Sequence, residues 1–408
     1  MNRFLALLII LFFSVTPVKG EIKQDIKVRL FSSYGGKSAI FSAKNGSYYI
    51  LSQDQFGNIL DTVSVLNSKG QNRLIYVWLS SGKVVVKKNG VILGKFKSIN
   101  LKSVDNKSSF SIKYSTRKER VYDGSLQIKP YRNILELIND VNMTSYVAGV
   151  VESEIGSKGN LESYKVQAIL VRTYALKNIN KFIDKGYNLT DDVRSQVYFS
   201  KSHFSSNSRE ILKAVRLTKD MVIVSGNSKI IDPLFHANSG GQTVKSSDVW
   251  SLELPYLQSV KDPYSSIAKS PSAFWKKEIS ADKYLSYFYK MAPKYRHSKS
   301  YMNAVLSFSQ KNRKASFKYK DVEIPLKEIR AKFNLRSTYF SVHKKGSKVI
   351  LYGKGYGHGV GLSQIGAINM VKKGYTYDQI IKFYYKGVHI VNINDSIVTL
   401  RQTIIKKV

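Results

Sequence analysis

An apolar run from Phe4 to Val15 follows a single basic residue, Arg3, at the head of the chain. The pattern then changes to short alternating runs. KVRLFSS (27–33), GSYYIL (46–51), DTVSVL (61–66), the stretch 73–96 and SFSIKYS (109–115) are rich in β-branched and aromatic residues and read as strands. Asn45-Gly46, Ser81-Gly82 and Asn89-Gly90 read as the turns between them. From 143 to about 186 the apolar period lengthens to that of a helix. Strands follow near 221–225 and 229–237. Residues 270–300 read as helical and basic, and strands return near 303–320 and 339–352. A Gly-rich loop at 353–361 leads into two short helices, about 362–373 and 377–385. Thr376 and Gln379 form a capping box at the start of the second helix, and Gly387 closes it. The whole pattern predicts an α+β fold with a β-rich N-terminal segment.

Two charged anomalies interrupt the helical block. In YVAGVVESEIGSKGN (146–160), Glu152 and Glu154 close an apolar run before a glycine break. At about 100° per residue from Tyr146, Val150 falls near 40°, Val147 near 100° and Val151 near 140°. Glu154 falls at about 80°, inside that stripe, and Glu152 at about 240°, opposite it. Glu154 is therefore expected to be desolvated and Glu152 solvated. Gly156 ends the helix and leaves Glu154 in its last turn, where the helix dipole also disfavours a negative charge. Two roles fit such a carboxyl: a general acid, or the partner of a buried cation.

The next helix begins at Asn160, a good N-cap. Its apolar stripe carries Lys165 and Arg172, seven residues apart. Cations on a core face are costly unless paired. Glu154 is a candidate partner for one of them, Lys165 could instead snorkel along the core edge, and Arg172, nearer the middle of the stripe, reads as an internal anchor or a substrate clamp. Downstream, FHANSGGQT (235–243) sets His236, Asn238 and Ser239 around Gly240-Gly241, where backbone can approach a ligand or simply make a tight turn. GKGYGHGVGLSQIGA (353–367) carries His358 between glycines, so its ring is expected to be reachable. Ser363 and Gln364 follow at a helix start. The loop fits neither a dinucleotide fingerprint nor a P-loop nor a hydrolase elbow. The six histidines have no metal-ligand spacing, so neither metal nor cofactor is expected.

Charge narrows the partners. Sixty-five Lys and Arg against 28 Asp and Glu give a formal +37, spread along the chain, which favours an anionic partner. Residues 1–20 read as a secretory signal peptide, with an uncleaved membrane anchor as the alternative. An exported protein meets anionic envelope polymers, and nucleic acid is not expected as a partner. Cysteine is absent, which excludes disulfides and thiol nucleophiles.

Several ordered blocks together resemble the SpoIID/LytB family: YDGSLQI (122–128), YVAGVVESEI (146–155), LESYKVQAILVRTYAL (161–176), FHANSGGQT, LPYLQSV (254–260), LRSTYFSV (335–342) and GYGHGVGLSQIGA with IIKFYYKGV (380–388). The resemblance implies a SpoIID-like catalytic domain at 121–392, with the basic insertion about 270–300, a β-rich segment at 21–120 before it and a basic tail at 393–408. It implies a lytic transglycosylase that cleaves peptidoglycan glycan strands, including strands stripped of stem peptides. Glu154 stands at the family's catalytic glutamate, with Lys165, Arg172, His236, Ser239, Gly240, His358, Ser363 and Gln364 as substrate contacts. The family usually continues Glu-Met-Pro, where this chain has Glu154-Ile155-Gly156. Some members carry zinc-binding cysteines near the QVY block. Ser195 stands there in this chain, so metal is not carried over. The LytB name also implies an alternative, a non-enzymatic glycan-binding enhancer with a cell-wall amidase as partner.

Overall fold

A computed structural model describes residues 25–394, apart from 71, 72, 106, 200–206, 251 and 267–271. The expected signal peptide and all of the expected tail beyond 394 lie outside the described residues. The chain begins with β1 (Asp25–Leu30), β2 (Ser38–Asn45), β3 (Ser47–Gln53), β4 (Ile59–Asn67), β5 (Leu74–Ser80), β6 (Lys83–Lys88), β7 (Val91–Phe96), β8 (Ser98–Ser103), β9 (Ser109–Tyr114), β10 (Arg120–Asp123), β11 (Ser125–Tyr131) and β12 (Ile134–Asn142). Helices α1 (Met143–Ile155) and α2 (Leu161–Lys177) follow, then β13 (Leu189–Thr190), α3 (Ser208–Leu217), β14 (Met221–Ser225), β15 (Phe235–His236) and the one-turn α4 (Pro263–Ser266). A basic stretch holds β16 (Phe274–Ser280), α5 (Ala281–Met291), α6 (Lys299–Leu306), β17 (Ser316–Tyr319), β18 (Val322–Pro325), α7 (Leu326–Lys332), β19 (Tyr339–Lys345) and β20 (Lys348–Lys354). The chain returns through β21 (Leu362–Ser363), α8 (Gln364–Lys372), α9 (Tyr377–Tyr384) and β22 (Val388–Asn392).

Alternation decides the N-terminal architecture. A seven-stranded sheet, ordered β13-β1-β12-β11-β8-β3-β4, faces a six-stranded sheet, ordered β10-β9-β2-β5-β6-β7. Ile26, Val28, Leu126, Ile128, Ile99 and Ile50 point inward from the first, and Phe41, Ile75, Val77, Val84 and Val86 from the second, into one core. The outward positions of the first sheet are mostly polar or charged: Lys27 pairs in register with Asp140, Gln127 with Asn100 and Gln53 with Ser98. Ser81-Gly82 and Asn89-Gly90 both take positive φ at each residue, as the expected two-residue hairpins need. Asn45-Gly46 also turns, but it carries the chain from one sheet to the other. Strands before and after residue 120 share the seven-stranded sheet.

Two expectations are corrected in the basic stretch. Residues 274–280 form β16, which pairs with β20 along its whole length, so the helical stretch starts only at Ala281. Residues 299–306 are α6, so only 316–319 of the expected 303–320 strand is extended. Its pairing with the distant β20, Phe274 opposite Lys354 through Ser280 opposite Lys348, decides β16. This stretch has its own aromatic core around Trp275, Phe288, Tyr301, Phe317 and Phe340. Arg313, in the same stretch, reaches back: its guanidinium donates to the carbonyls of Ser239 (3.0 Å) and Gln242 (3.1 Å).

Arg172 is an internal anchor. It lies in the core at 3% exposure. Its guanidinium donates to the carbonyl oxygens of Thr218 (2.7 Å), Met221 (3.2 Å) and Val215 (3.3 Å). A cation there meets the last carbonyls of α3, where helix-end acceptors lack partners. Burial lowers its pKa to about 10. Arg172→Leu strands these carbonyls and is expected to reduce unfolding free energy by about 3 kcal/mol, read by urea denaturation.

Candidate active site

The site is built at the end of α1. Asn142 caps its start, its Oδ1 accepting from the Ser145 amide at 2.9 Å. Tyr146, Val147, Ala148, Gly149, Val150 and Val151 are all buried, so the middle of the helix is enclosed on every face. The helix packs against β12, α2 and α3. Gly156, at φ 58°, ends it, and its amide bonds the Glu152 carbonyl. The last turn emerges beyond it, and both Glu152 and Glu154 are half-buried there. The expected contrast between solvated Glu152 and desolvated Glu154 is thus a contrast of surroundings. Glu154 lines a cleft, and Glu152 does not.

That cleft has a volume of about 610 Å³. Glu154, Ile155 and Lys158 form one side, Gln364, Ile365 and Ile368 of α8 another, and Ala237, Ser272, Arg336 and Tyr356 the rest. Desolvation raises the Glu154 pKa above the ordinary 4.5, and the Val197 amide and Gln364 side chain pull it partly back. Gln364 Nε2 is buried without a hydrogen bond of full geometry, so its effect on Glu154 is a close electrostatic contact. Among the described residues no cation forms an ion pair with Glu154. Desolvation thus shifts the carboxyl toward its protonated form, with no ion-pair countercharge among the described residues. Tyr356 is half-exposed, with the Arg336 guanidinium 6.0 Å from its ring centroid.

Of the nine candidate residues, Glu154 and Gln364 meet in the cleft, and the others hold the scaffold. Lys165 pairs with Glu162 at 2.5 Å and lies 5.5 Å from the Tyr377 ring, docking α2 on α9. His236 is buried, with Nδ1 3.1 Å from the Val360 carbonyl. Ser239 Oγ donates to Asp262 at 2.7 Å. Ser363 caps α8, accepts from the Ser239 amide at 3.2 Å and shares a hydrogen with Ser265 at 2.7 Å. Gly240 serves a close approach of chain to chain, not to a ligand: a Cβ there would stand 2.7 Å from the Lys354 carbonyl carbon. His358 is half-buried, less open than its flanking glycines implied. It packs between Trp250 and His236, at 5.2 and 5.5 Å, with Nε2 2.9 Å from the Phe235 carbonyl.

The glycine spacing explains this. A Cβ on Gly361, at φ 70°, would lie 2.0 Å from the Leu234 carbonyl oxygen. The loop 355–361 is thereby pressed onto 234–240, with β15 and β21 in parallel register. The loops support the cleft wall from behind and present Tyr356 and Ala237 to it. Lys158, Ser272, Arg336, Tyr356 and the three isoleucines were missed in the sequence. Tyr356 alone carried a local signal, an aromatic between two glycines.

Residues 131–224 match the family model described as stage II sporulation protein, SpoIID. An uncharacterized protein of Brachyspira hyodysenteriae is 31% identical over 280 residues, covering 67% of this chain and 73% of the relative. Stage II sporulation protein D of Bacillus subtilis is 29% identical over 277 residues, 65% of this chain and 79% of that protein.

The chain belongs to the SpoIID/LytB family.

The amidase enhancer of Bacillus subtilis is 30% identical over 287 residues, 59% of this chain and 39% of that one. The stretch matched by the SpoIID model holds α1, α2, Glu154, Lys165 and Arg172, whereas Arg336, Tyr356 and Gln364 lie beyond it.

His358, half-buried beside the buried His236, makes a pH prediction. Burial lowers the His358 pKa to about 4 from the ordinary 6.5. The unfolded chain then binds more protons, so this contribution to stability is full above about pH 6.5 and lost as pH falls toward about 4. Between pH 7 and pH 4 the wild type is expected to lose on the order of 2 kcal/mol more than His358→Gln, after allowance for partial exposure. Denaturant titrations of both proteins at each pH measure it.

Proposed function

We propose that this chain acts on cell-wall glycan as a lytic transglycosylase, with Glu154 as its single general acid and base. The observation that carries this reading is a cleft-lining carboxyl, desolvated toward its protonated form and without an ion-pair partner among the described residues. The names of the relatives, a sporulation protein and an amidase enhancer, support a cell-wall role. The signal-peptide pattern supports export to the envelope.

The step needs one carboxyl group rather than the pair of an ordinary glycosidase. Protonated Glu154 gives its proton to the glycosidic oxygen between N-acetylmuramic acid and N-acetylglucosamine. The bond from the muramyl C1 to that oxygen breaks, and an oxocarbenium-like centre develops at C1. The sugar's own 6-hydroxyl oxygen bonds to C1 while the Glu154 carboxylate takes its proton. A 1,6-anhydro end results, the carboxyl is protonated again, and no water is consumed. Gln364 Nε2 is placed to steady the carboxylate or a sugar hydroxyl. Lys158 and Arg336 suit the lactyl carboxylate that a peptide-stripped muramyl residue exposes, and Tyr356 offers a ring to the sugar face. The +37 charge holds the protein near anionic polymer, an attraction that salt screens.

Product analysis by mass spectrometry on peptide-free glycan tests the reading. Anhydro-muramyl ends are expected from the wild type, with about a 10²–10⁴-fold loss in Glu154→Gln. The rate is expected to fall as pH rises through the raised Glu154 pKa, because the acid must start protonated. Unchanged cleavage in Glu154→Gln overturns its role. The 30% identity to an amidase enhancer favours one second reading, a glycan-binding enhancer. Wild-type binding without cleavage would decide for it.

A further inference from the structure

The outer face of the seven-stranded sheet holds a second cavity, of about 540 Å³, lined by N-terminal strands and by none of the residues of the Glu154 cleft. Its floor is a row of amides. Gln127 and Asn100 are register partners on β11 and β8, and Gln53 lies beside them on β3. Gln127 Nε2 donates to Gln53 Oε1 at 3.1 Å, and Gln53 Nε2 donates to the Gly57 carbonyl at 2.7 Å. Asn100 Oδ1 is buried and has no hydrogen-bond partner. Lys27, Lys97 and Lys129 stand around this floor. Lys129 is paired with Glu136 at 3.4 Å. Lys27 and Lys97 are exposed, and neither forms an ion pair among the described residues, although Lys27 lies opposite Asp140.

The rim adds an aromatic ring. Phe56 is 81% exposed, on a turn that Asp54 fixes. Asp54 Oδ1 accepts from the amides of Phe56 (2.8 Å) and Asn58 (2.9 Å), and Oδ2 accepts from Asn58 Nδ2 (2.9 Å). The ring is thus held out in water by a built turn, not left on a loose loop. Side-chain amides both donate and accept, as sugar hydroxyls do. An aromatic face suits the apolar face of a pyranose ring, and unpaired ammonium groups suit carboxylate or phosphate.

We infer that this amide-floored basin is a second binding site, for an anionic glycan chain, separate from the Glu154 cleft. The ligand chemistry is a hydroxyl-rich sugar chain with regularly spaced negative groups. Muramyl carboxylates of peptide-free glycan or phosphodiesters of a wall polymer could supply it. The site does not depend on Glu154 or on cleavage.

Binding is measured by isothermal titration calorimetry at physiological salt, with Glu154→Gln as the parent so that strands stay intact. The probes are peptide-free glycan oligosaccharides, the same strands with carboxyls amidated, and poly(N-acetylglucosamine 1-phosphate), a sugar chain joined by phosphodiesters. Lys27→Ala/Lys97→Ala is expected to weaken binding of the carboxylated strand or of the phosphodiester polymer about tenfold, and to leave the amidated strand unchanged. Phe56→Ala is expected to weaken the same probe about tenfold, with unchanged thermal unfolding in both variants. The charged probe that responds identifies the source of the ligand. Unchanged affinity for both charged probes in either variant overturns the proposal. So does equal loss for the amidated strand in the lysine variant.

Discussion

A helix that is apolar all round through its middle can only sit inside a domain, and the rest of this structure is arranged to enclose α1. The sheet at β12 covers one side, α2 and α3 cover others, and the apolar run of six residues admits no solvated face. Its position is therefore set by packing before any chemistry is considered. Gly156 then stops the helix where the enclosure opens. Glu154 is half-buried there because it is the end of a buried element, and its raised pKa follows from that place and not from a neighbouring acid.

The opposite wall depends on a different constraint. Loop 355–361 presses against 234–240 only because side-chain-free positions let two backbones approach closely. The buried serine network and the neutral histidines tie these segments together. Arg313 fastens them to the basic stretch through backbone carbonyls. The residues that most resembled substrate contacts are therefore framework. Their polarity is consumed internally, which is how buried polar groups persist in a core. The donors and rings that face the cleft come from the edges of these motifs.

Much of the frame was legible. The Asn160 cap, the Thr376–Gln379 capping box and both two-residue hairpin turns are local chemistry, and each forms as read. Lys165 and Arg172 were correctly marked as cations in need of partners. The partners themselves were not legible. Arg172 meets carbonyls more than 40 residues away, and Lys165 takes Glu162 one turn back instead of Glu154. β16 was missed because FWKKEIS has apolar residues only at 274, 275 and 279, with no alternation to mark a strand, and its pairing with β20 supplies the rest.

The sequence by itself determined that an acidic residue ends a buried helix, and so that one carboxyl of the glutamate pair would stand at a boundary between core and water. Periodicity and a glycine stop suffice for that, because both act within a few residues. Only the tertiary structure decided which groups face that carboxyl. Lys158, Arg336, and Tyr356 with Gln364 are brought together from three separated stretches of chain. Their meeting depends on close backbone approach and on packing between loops, which no local pattern encodes.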